Sequence, residues 1–414
     1  GRATYWGTRD KGRASDVAFA NGISAHAFEL DDYHPVKVHP GAVVIPAALA
    51  VAEETNASAQ DVLAAIAVGY EVMIRTSAAL DPSVGRLRGW HLTGVTGTFG
   101  AAAAAGRLLG LDAERMSWAF GLAGTQSSGL FAFNADGAMS KRFHAGHAAR
   151  GGVVAAEMAQ LGFTGPTSIY ETEDGGFLRA FSDASSPEPL VHALGEDWRL
   201  FDIAFKPYSC CGSLHAYIDA ARALRDEFGF ADGSEQRVRI GLPKVVEVQC
   251  GFDYEEPTSL GAQMNARFCV ASALRYGNVL PAQFETERLA DPETLRIMDR
   301  VEQVHDASLD DIYPAQFCAW VELQDADGSY RREYRAEPSG WASNPERSDV
   351  LRAKFSSLMS DRLASATQQA LTDWVEEVTV RPVARANSTL RVAELVGLLD
   401  VGERVPGDER TGQG

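Results

Sequence analysis

The sequence has few cysteines and no glycine-rich phosphate loop. Its five cysteines include no CxxC pair, and the adjacent Cys210 and Cys211 alone cannot supply the ligands of a structural zinc or iron–sulfur site. An odd number of cysteines without a pairing pattern is typical of a reducing compartment, so we expect a cytoplasmic protein. No signal peptide is recognisable at the start, where Gly1 leads at once into structured-looking sequence, and further residues are expected upstream.

Positive charge is also scarce, because 38 Lys and Arg residues face 56 Asp and Glu residues, which gives a net charge of −18. Such a chain repels phosphate backbones and anionic lipid, so neither nucleic acid nor a membrane is an expected partner. The longest uncharged run, residues 116–135, contains Gln, Thr and Ser and indicates protein interior rather than a membrane span. In so acidic a chain, a local group of basic side chains indicates a site for an anion.

The first 200 residues are predicted to be helical. At 414 residues the chain is too long for one compact core, and about two domains are expected. Apolar and small residues recur at helical spacing, and the pattern predicts helices at residues 42–55, 58–79, 93–109, 112–122 and 147–161.

The second half mixes strand and helix patterns. Strands are predicted at residues 237–240 and 245–250, and a hairpin at residues 318–334 with Asp327-Gly328 as its turn. Helices are predicted at residues 213–228, 262–276, 292–301, 350–358, 365–374 and 392–399. We therefore expect a mainly α, two-domain fold, with a discontinuous all-helical domain of residues 1–203 and 345–414 and a smaller α+β domain of residues 204–344.

One polar stretch, residues 25–41, lies between apolar helices, and its dozen positions from Glu29 to Pro40 gather three carboxylates, two imidazoles and a lysine. Two His-Pro steps disfavour helix at His34 and His39, so both are expected on extended backbone in a rigid loop. Charged loops held between apolar elements are common places for chemistry. A solvated connector has the same composition, so the interpretation depends on the other polar clusters.

Three further clusters follow along the chain. His91 and nearby hydroxyls precede a small-residue helix, whose N-terminus favours an anion, and residues 141–147 bring Lys141, Arg142 and two histidines to a similar place. Lys206 lies where the sequence pattern changes from all-helical to mixed strand and helix. A lysine at such a domain junction acts either as a base of lowered pKa or as a cation that holds an acidic ligand. Each cluster also has a purely structural interpretation. The His91 cluster has the composition of a helix cap, residues 141–147 that of a solvated basic turn, and Cys210 and Cys211 that of apolar packing.

Seven of the nine histidines lie in or beside these four clusters. Acids and bases of intermediate pKa near cationic groups indicate proton transfer on a polycarboxylate. Metal ligation is the second use of the same side chains, but no HExxH or similar close spacing is present, so no metal site is predicted.

In this order the clusters resemble the MmgE/PrpD family, which includes 2-methylcitrate dehydratase, cis-aconitate decarboxylase and iminodisuccinate epimerase. The resemblance covers nearly the whole chain and is specific only as a set. It is carried by Ala20-Asn21-Gly22, Ala25-His26-Ala27, Asp31-Asp32, His39-Pro40, His91-x-Thr93-Gly94, Ala123-Gly124-x-Gln126-x-Ser128-Gly129, Lys141-Arg142-x-His144-x-Gly146, Gly162-Phe163-x-Gly165-Pro166 and Lys206-Pro207-Tyr208-x-Cys210-Cys211-Gly212 with His215.

The resemblance implies a large helical domain with an α+β second domain, a cofactor-free site in the cleft between them, and a homodimer. It implies that the catalytic residues are Lys206, His39, His144 and Asp31. Expected substrate contacts are Glu29, Asp32, His34, His91, Gln126, Arg142, Cys211, His215 and Arg267.

The function expected on this basis is that of a lyase acting on a small di- or tricarboxylic acid, first of all a 2-methylcitrate dehydratase-like hydro-lyase. An epimerase or isomerase, a decarboxylase of a related acid, and a non-catalytic carboxylate-binding homologue are the alternatives. Two positions depart from the family pattern and favour a chemistry other than cis-aconitate decarboxylation: Phe268 stands where a tyrosine is common, and Thr167 where a decarboxylase would have lysine.

Overall fold

The computed structural model describes residues 1–380, except residues 231, 232, 234, 256, 325, 326 and 361, and also residues 395–397. The fold is mainly α with a small mixed sheet in the second half, as the sequence predicted. The first half contains α1 (Ala14–Ala25), α2 (Gly41–Thr55), α3 (Ala59–Ala79), α4 (Pro82–Leu87), α5 (Leu92–Leu108), α6 (Ala113–Gly124), α7 (Ser140–Gln160), α8 (Phe177–Phe181) and α9 (Glu188–Val191).

Two short antiparallel ladders accompany these helices. Strand β1 (Ala3–Thr4) pairs with β2 (Lys11–Gly12), and β3 (Asp32–Tyr33) pairs with β4 (Ala204–Phe205). The second ladder joins the polar stretch of residues 25–41 to the segment that carries Lys206. It therefore brings together two clusters that lie more than 160 residues apart in sequence.

The core of the helical half is built on close contact between α5 and α7, which are rich in alanine and glycine. Every residue of α5 from Leu92 to Gly106 is buried. Because small side chains allow two helix backbones to approach closely, the packing depends on particular glycines that face the partner helix.

Replacement of Gly152 by alanine is expected to destabilise the protein by about 1–3 kcal/mol, because the new methyl group has no room. A Cβ at Gly152 would lie 2.4 Å from the Ala101 Cβ and 2.6 Å from the Thr98 carbonyl oxygen of α5. The matched control is Gly151→Ala, whose Cβ would lie no closer than 3.1 Å to a side-chain methyl. Because alanine favours helix by about 1 kcal/mol over glycine, this control should be neutral or stabilising. Denaturant unfolding of both variants checks the pair, and equal stabilities would contradict the packing argument.

The second half contains a four-stranded sheet of order β6-β5-β7-β8, with β5 and β6 parallel and the other neighbours antiparallel. Its elements are β5 (Val238–Leu242), β6 (Val301–His305), β7 (Ala319–Gln324), β8 (Tyr330–Arg335), α10 (His215–Phe228), α11 (Lys244–Cys250), α12 (Ser259–Gln263), α13 (Ala266–Tyr276), α14 (Thr286–Leu289), α15 (Pro292–Met298) and α16 (Ala307–Asp310). Single 3-10 turns lie at Phe131–Asn134, Arg199–Asp202, Gly212–Leu214 and Pro281–Phe284. The hairpin β7–β8 confirms the alternating pattern that predicted it.

Two local predictions were wrong. Residues 245–250, predicted as a strand, form helix α11, in which Val246 and Cys250 are buried four residues apart, as one helical face requires. The helix predicted from residue 147 begins seven residues earlier, at Ser140. The basic cluster around Lys141 therefore lies within the first turns of α7 rather than in front of it.

Two further helices follow the sheet, α17 (Arg347–Met359) and α18 (Ser365–Val380). Lys354 of α17 donates to the backbone carbonyls of Leu30 and Lys206, at 2.8 and 2.9 Å. This helix therefore touches both clusters that the β3–β4 ladder joins. The predicted domain division stays a prediction, and of the helix predicted at residues 392–399 only residues 395–397 are described, as helix.

Within the described chain, α3 is the one helix long and apolar enough by length and composition to cross a membrane. In this fold it carries a buried ion pair, with the Arg75 Nε 2.6 Å from a Glu71 carboxylate oxygen. The Arg75 guanidinium also donates to three backbone carbonyls in the segment that follows α8. These contacts hold α3 inside the helical half.

Candidate active site

A cavity lies between the helical half and the α+β half of the molecule. Counted out to its open mouth and including the solvent there, it contains about 600 Å³ of empty space. The helical half contributes Glu29, Tyr33, His34, Lys37, Val38, His39, Arg86, Trp90, His91, Leu92, Phe131 and Lys141. The other wall consists of Cys211, Gly212, Ser213, Gln249, Met264, Tyr313 and Phe317.

A chain of alternating charges is buried beneath the cavity. The two carboxylate oxygens of Glu29 bind the ammonium groups of Lys141 and Lys206, the latter at 2.9 Å. Lys206 also donates to Asp31 at 3.1 Å, and the other oxygen of Asp31 lies 2.7 Å from the His26 Nδ1. When the imidazoles are neutral, the two positive charges of the lysines balance the two negative charges of Glu29 and Asp31. Each charge therefore has a partner of opposite sign.

The pKa values of this chain follow from the pairing. Burial alone would raise the pKa of Glu29, but Lys141 and Lys206 outweigh it and hold the pKa below its usual value. Burial would likewise raise the pKa of Asp31, and Lys206 with His26 and His39 keeps it low. Burial would lower the pKa of Lys206, but Asp31 and Glu29 raise it instead. Lys206 therefore stays protonated at neutral pH and is suited to hold the two carboxylates rather than to accept a proton.

His39 has a defined tautomer, because its Nδ1 lies 2.8 Å from the backbone carbonyl of Asp32 and a carbonyl oxygen can only accept. Nδ1 therefore carries the proton, and Nε2 keeps its lone pair. Burial, together with the charge of Lys206, lowers the pKa of His39 to about 3. Since His39 lines the cavity, it offers a neutral imidazole with a free Nε2 as a proton acceptor.

His91 and His144 form an imidazole pair, in which the two Nδ1 atoms are 3.1 Å apart and one donates to the other. His91 also stacks on His26, with ring centroids 6.0 Å apart. Burial lowers the pKa of both, that of His144 to about 4. The His91 Nε2 is buried and has no hydrogen-bond partner among the described residues, so it is available to a ligand.

One group of side chains has the spacing of a metal site. Ligand atoms of His26, Asp31 and His39 lie within 4.8 Å of one another. The Asp31 carboxylate is already bound to the Lys206 ammonium, and the Lys141 ammonium lies beyond Glu29. A divalent cation would stand next to these positive charges with a single anionic ligand, so the donor set does not fit a metal ion.

The structure gathers most of the residues that the sequence singled out. Five line the cavity: Glu29, His34, His39, His91 and Cys211. Asp31, Lys206 and His144 lie directly behind this wall, in contact with its residues. Asp32 accepts from the Gly41 backbone at the start of α2 and from the Tyr70 hydroxyl, and burial raises its pKa to about 6.

Four predicted contacts lie elsewhere. The amide of Gln126 donates to the backbone carbonyls of Leu122 and Gly151, and Arg267 pairs with Asp253 at 2.8 Å. Arg142 lies one position after Lys141 on α7 but does not line the cavity. His215 is fully buried against Tyr33 and Tyr208, where it supports the wall from behind.

The two positions that departed from the family pattern do not line the cavity either. Phe268 is buried in the core of the α+β half, where its ring packs against Tyr254 and Phe284. Thr167 lies on an exposed turn. Neither side chain therefore faces the cavity, whose wall carries Lys37 and Lys141.

Several cavity residues were not among the predicted site residues: Lys37, Arg86, Lys141, Tyr33 and Tyr313. Lys37 and Lys141 belong to the polar clusters, so their composition was a usable signal. Arg86 lies in the short helix α4, where nothing in the local sequence distinguishes it from the exposed Arg88 two residues later.

Comparison with known proteins gives consistent matches along the chain. The MmgE/PrpD N-terminal domain matches residues 1–190, and the MmgE/PrpD C-terminal domain matches residues 208–378. A cis-aconitate decarboxylase-like protein, oryM, of Aspergillus oryzae is 32% identical over 377 residues, which span 86% of this chain and 77% of the relative.

Two further relatives carry similar names. A cis-aconitate decarboxylase of Aspergillus terreus is 32% identical over 345 residues, covering 78% of this chain and 70% of its own. The cis-aconitate decarboxylase of Mus musculus is 27% identical over 390 residues, which span 91% of this chain and 78% of the relative. Decarboxylases are lyases, so these similarities support a lyase, though not specifically a hydro-lyase.

Proposed function

Because the chain belongs to the MmgE/PrpD family, we propose that it is a lyase that acts on a small polycarboxylate through an enediolate-like intermediate. The observation that carries the proposal is the meeting of Lys141 and the free Nε2 of a neutral His39 in one cavity. Lys141 is a cation and proton donor, and His39 is a proton acceptor. Both are held in place by the buried charges beneath them.

Decarboxylation of a cis-aconitate-like acid is the first candidate reaction. The bond to the leaving carboxylate breaks, CO2 departs, and the electron pair moves through the conjugated system onto a remaining carboxylate. The Lys141 ammonium stabilises the charge that develops there, and donates a proton to the α-carbon. The substrate's own carboxylate is the electron sink, so side chains suffice for every step. The names of the relatives support this candidate.

Dehydration of a hydroxy acid of the 2-methylcitrate type is the second candidate, and the tautomer of His39 favours it. The free Nε2 would take the proton α to a carboxylate, and Lys141 would protonate the leaving hydroxyl.

A cytoplasmic location and a homodimer are part of the same proposal, because the cysteine pattern and the family resemblance imply them.

Incubation of the purified protein with cis-aconitate, citrate, 2-methylcitrate, malate and iminodisuccinate in D2O, read by NMR, tests the function. We expect loss of CO2 from the cis-aconitate-like acid, with one deuteron at the α-carbon of the product. Loss of water instead would select the second candidate. Neither product nor exchange with any of these acids, from folded protein, would contradict the proposal.

The variant His39→Asn separates the two reactions, because the Asn amide can keep the hydrogen bond to the Asp32 carbonyl while Nε2 is removed. Dehydration should then slow by about 10²–10⁴-fold, the usual contribution of a general base. Decarboxylation takes no proton from the substrate and should slow far less. His192→Asn, at an exposed surface ion pair with Glu188, serves as the control.

A further inference from the structure

Two basic side chains of the cavity take no part in the buried charge chain. Lys37 lies in the loop between the two His-Pro steps, and Arg86 lies in the last turn of α4. Both line the cavity, and within the part of the chain that the structure describes neither has a carboxylate partner. Since Lys141 and Lys206 are balanced by Glu29 and Asp31, Lys37 and Arg86 give the cavity its uncompensated positive charge.

The contacts that these two cations make are with aromatic rings. The Lys37 Nζ lies 4.8 Å from the centroid of the Tyr313 ring and 3.4 Å from its hydroxyl. The Arg86 guanidinium carbon lies 3.3 Å above the Phe131 ring, and the Arg86 Nε is buried without a hydrogen-bond partner. A buried charge without an anion is costly, so such a pair is expected where a ligand supplies the anion.

The surroundings of Lys37 support a binding role. Burial and the nearby Arg86 lower the pKa of Lys37 to about 8, as expected for two cations that face the same small space. The Lys37 backbone has φ 63°, a left-handed conformation that side chains with a Cβ rarely adopt. Glu29, across the same cavity, has φ 52°. Strained backbone of this kind persists where surrounding structure holds a side chain in a required position.

We propose that Lys37, Arg86 and the Tyr313 hydroxyl form a second anion subsite, which binds the central carboxylate of a tricarboxylate substrate. The Tyr313 hydroxyl is held by Ser213 at 3.0 Å, so it is fixed to meet such a group. The subsite makes the protein selective for acids with three carboxylates over acids that lack the third. The identity of the ligand as a polycarboxylate rests on the proposed function.

Calorimetric titration with propane-1,2,3-tricarboxylate and with glutarate, which lacks only the central carboxylate, tests the subsite without need of turnover. The variants are Lys37→Asn, chosen because asparagine tolerates the left-handed backbone, and Arg86→Gln. The control is Arg88→Gln, because the exposed guanidinium of Arg88 pairs with Asp183 at 2.8 Å.

The wild-type protein should bind the tricarboxylate more tightly than glutarate. Each variant should weaken tricarboxylate binding by about tenfold or more, the effect of losing a hydrogen bond to a charged group, and should leave glutarate binding nearly unchanged. The control should keep both affinities.

Equal affinity of the wild-type protein for the two acids would overturn the subsite, and so would variants that keep the wild-type preference. The proposed function fails separately. If the preference depends on Lys37 and Arg86 but no acid of the panel is converted, the subsite stands and the lyase reaction does not. If an acid is converted while both variants keep the preference, the reaction stands and the subsite does not.

Discussion

Replacement of Lys206 by methionine is expected to lower the free energy of unfolding by about 3–5 kcal/mol at neutral pH. Methionine fills a similar volume but leaves one oxygen of Glu29 and one oxygen of Asp31 without their cation. Both carboxylates are almost completely buried, so water cannot replace the ammonium group. The cost is mainly that of two buried negative charges next to each other, rather than of the lost hydrogen bonds.

The free energy of unfolding that Lys206→Met loses should become smaller as the pH falls. The folded-state pKa of Lys206 is raised, so its contribution is fully present below the unfolded lysine value of about 10.4 and covers neutral pH. The pKa values of Glu29 and Asp31 are lowered, so their contribution is present above the unfolded carboxyl values of about 4 and disappears as the pH falls through and below them. The difference between the wild-type protein and the variant should therefore shrink on acidification.

Denaturant unfolding at neutral pH and at about pH 3, below the unfolded carboxyl values, measures this difference. A surface control is Lys244→Met, whose pair with Glu247 is exposed and should contribute less than about 1 kcal/mol. Adding Asp31→Asn to Lys206→Met removes one unpaired charge and should restore part of the stability. A loss at neutral pH no larger than that of the control would show that the buried charges are not held by Lys206.

The fold could be predicted largely from local patterns, since helices of the first half are marked by apolar periodicity and the β7–β8 hairpin by alternation and a turn. Helix α11 was missed because a short run rich in valine has the composition of a strand, and only the spacing of Val246 and Cys250 distinguishes the two. Such runs are ambiguous until their burial is known.

The site residues could be predicted only in part. The direction of a side chain depends on where its helix begins, and some residues come together only in the folded chain. Consecutive residues of a helix point about 100° apart, so Lys141 of α7 reaches Glu29 while Arg142 beside it points elsewhere. Predicting the start of α7 seven residues late removed that information. Arg86 has no local signal, because only the folded chain brings α4 to the loop that carries Lys37.

Replacement of Lys141 by alanine is expected to reduce kcat/KM for the acid that proves to be the substrate by about 10²–10⁴-fold, the range for loss of a general acid. The reason is positional, since Lys141 is the cavity lysine that meets the buried charge chain directly, through Glu29. Because the proton is transferred and the new charge stabilised only in the transition state, kcat should fall in the same proportion as kcat/KM.

The free energy of unfolding of Lys141→Ala shows whether the lost activity comes from unfolding. Because Glu29 keeps Lys206 as a partner in this variant, the loss of unfolding free energy should be smaller than for Lys206→Met. Arg150→Ala is the matched control, because Arg150 lies on the same helix in an exposed pair with Asp16, 3.7 Å away. Ethylammonium added to Lys141→Ala should restore part of kcat, because the truncated side chain leaves room for a small amine at the cavity wall. A variant that keeps activity within about threefold of the wild-type protein, less than 1 kcal/mol of transition-state stabilisation, would exclude Lys141 as the proton donor and leave His91, with its free buried Nε2, as the cavity group to test next.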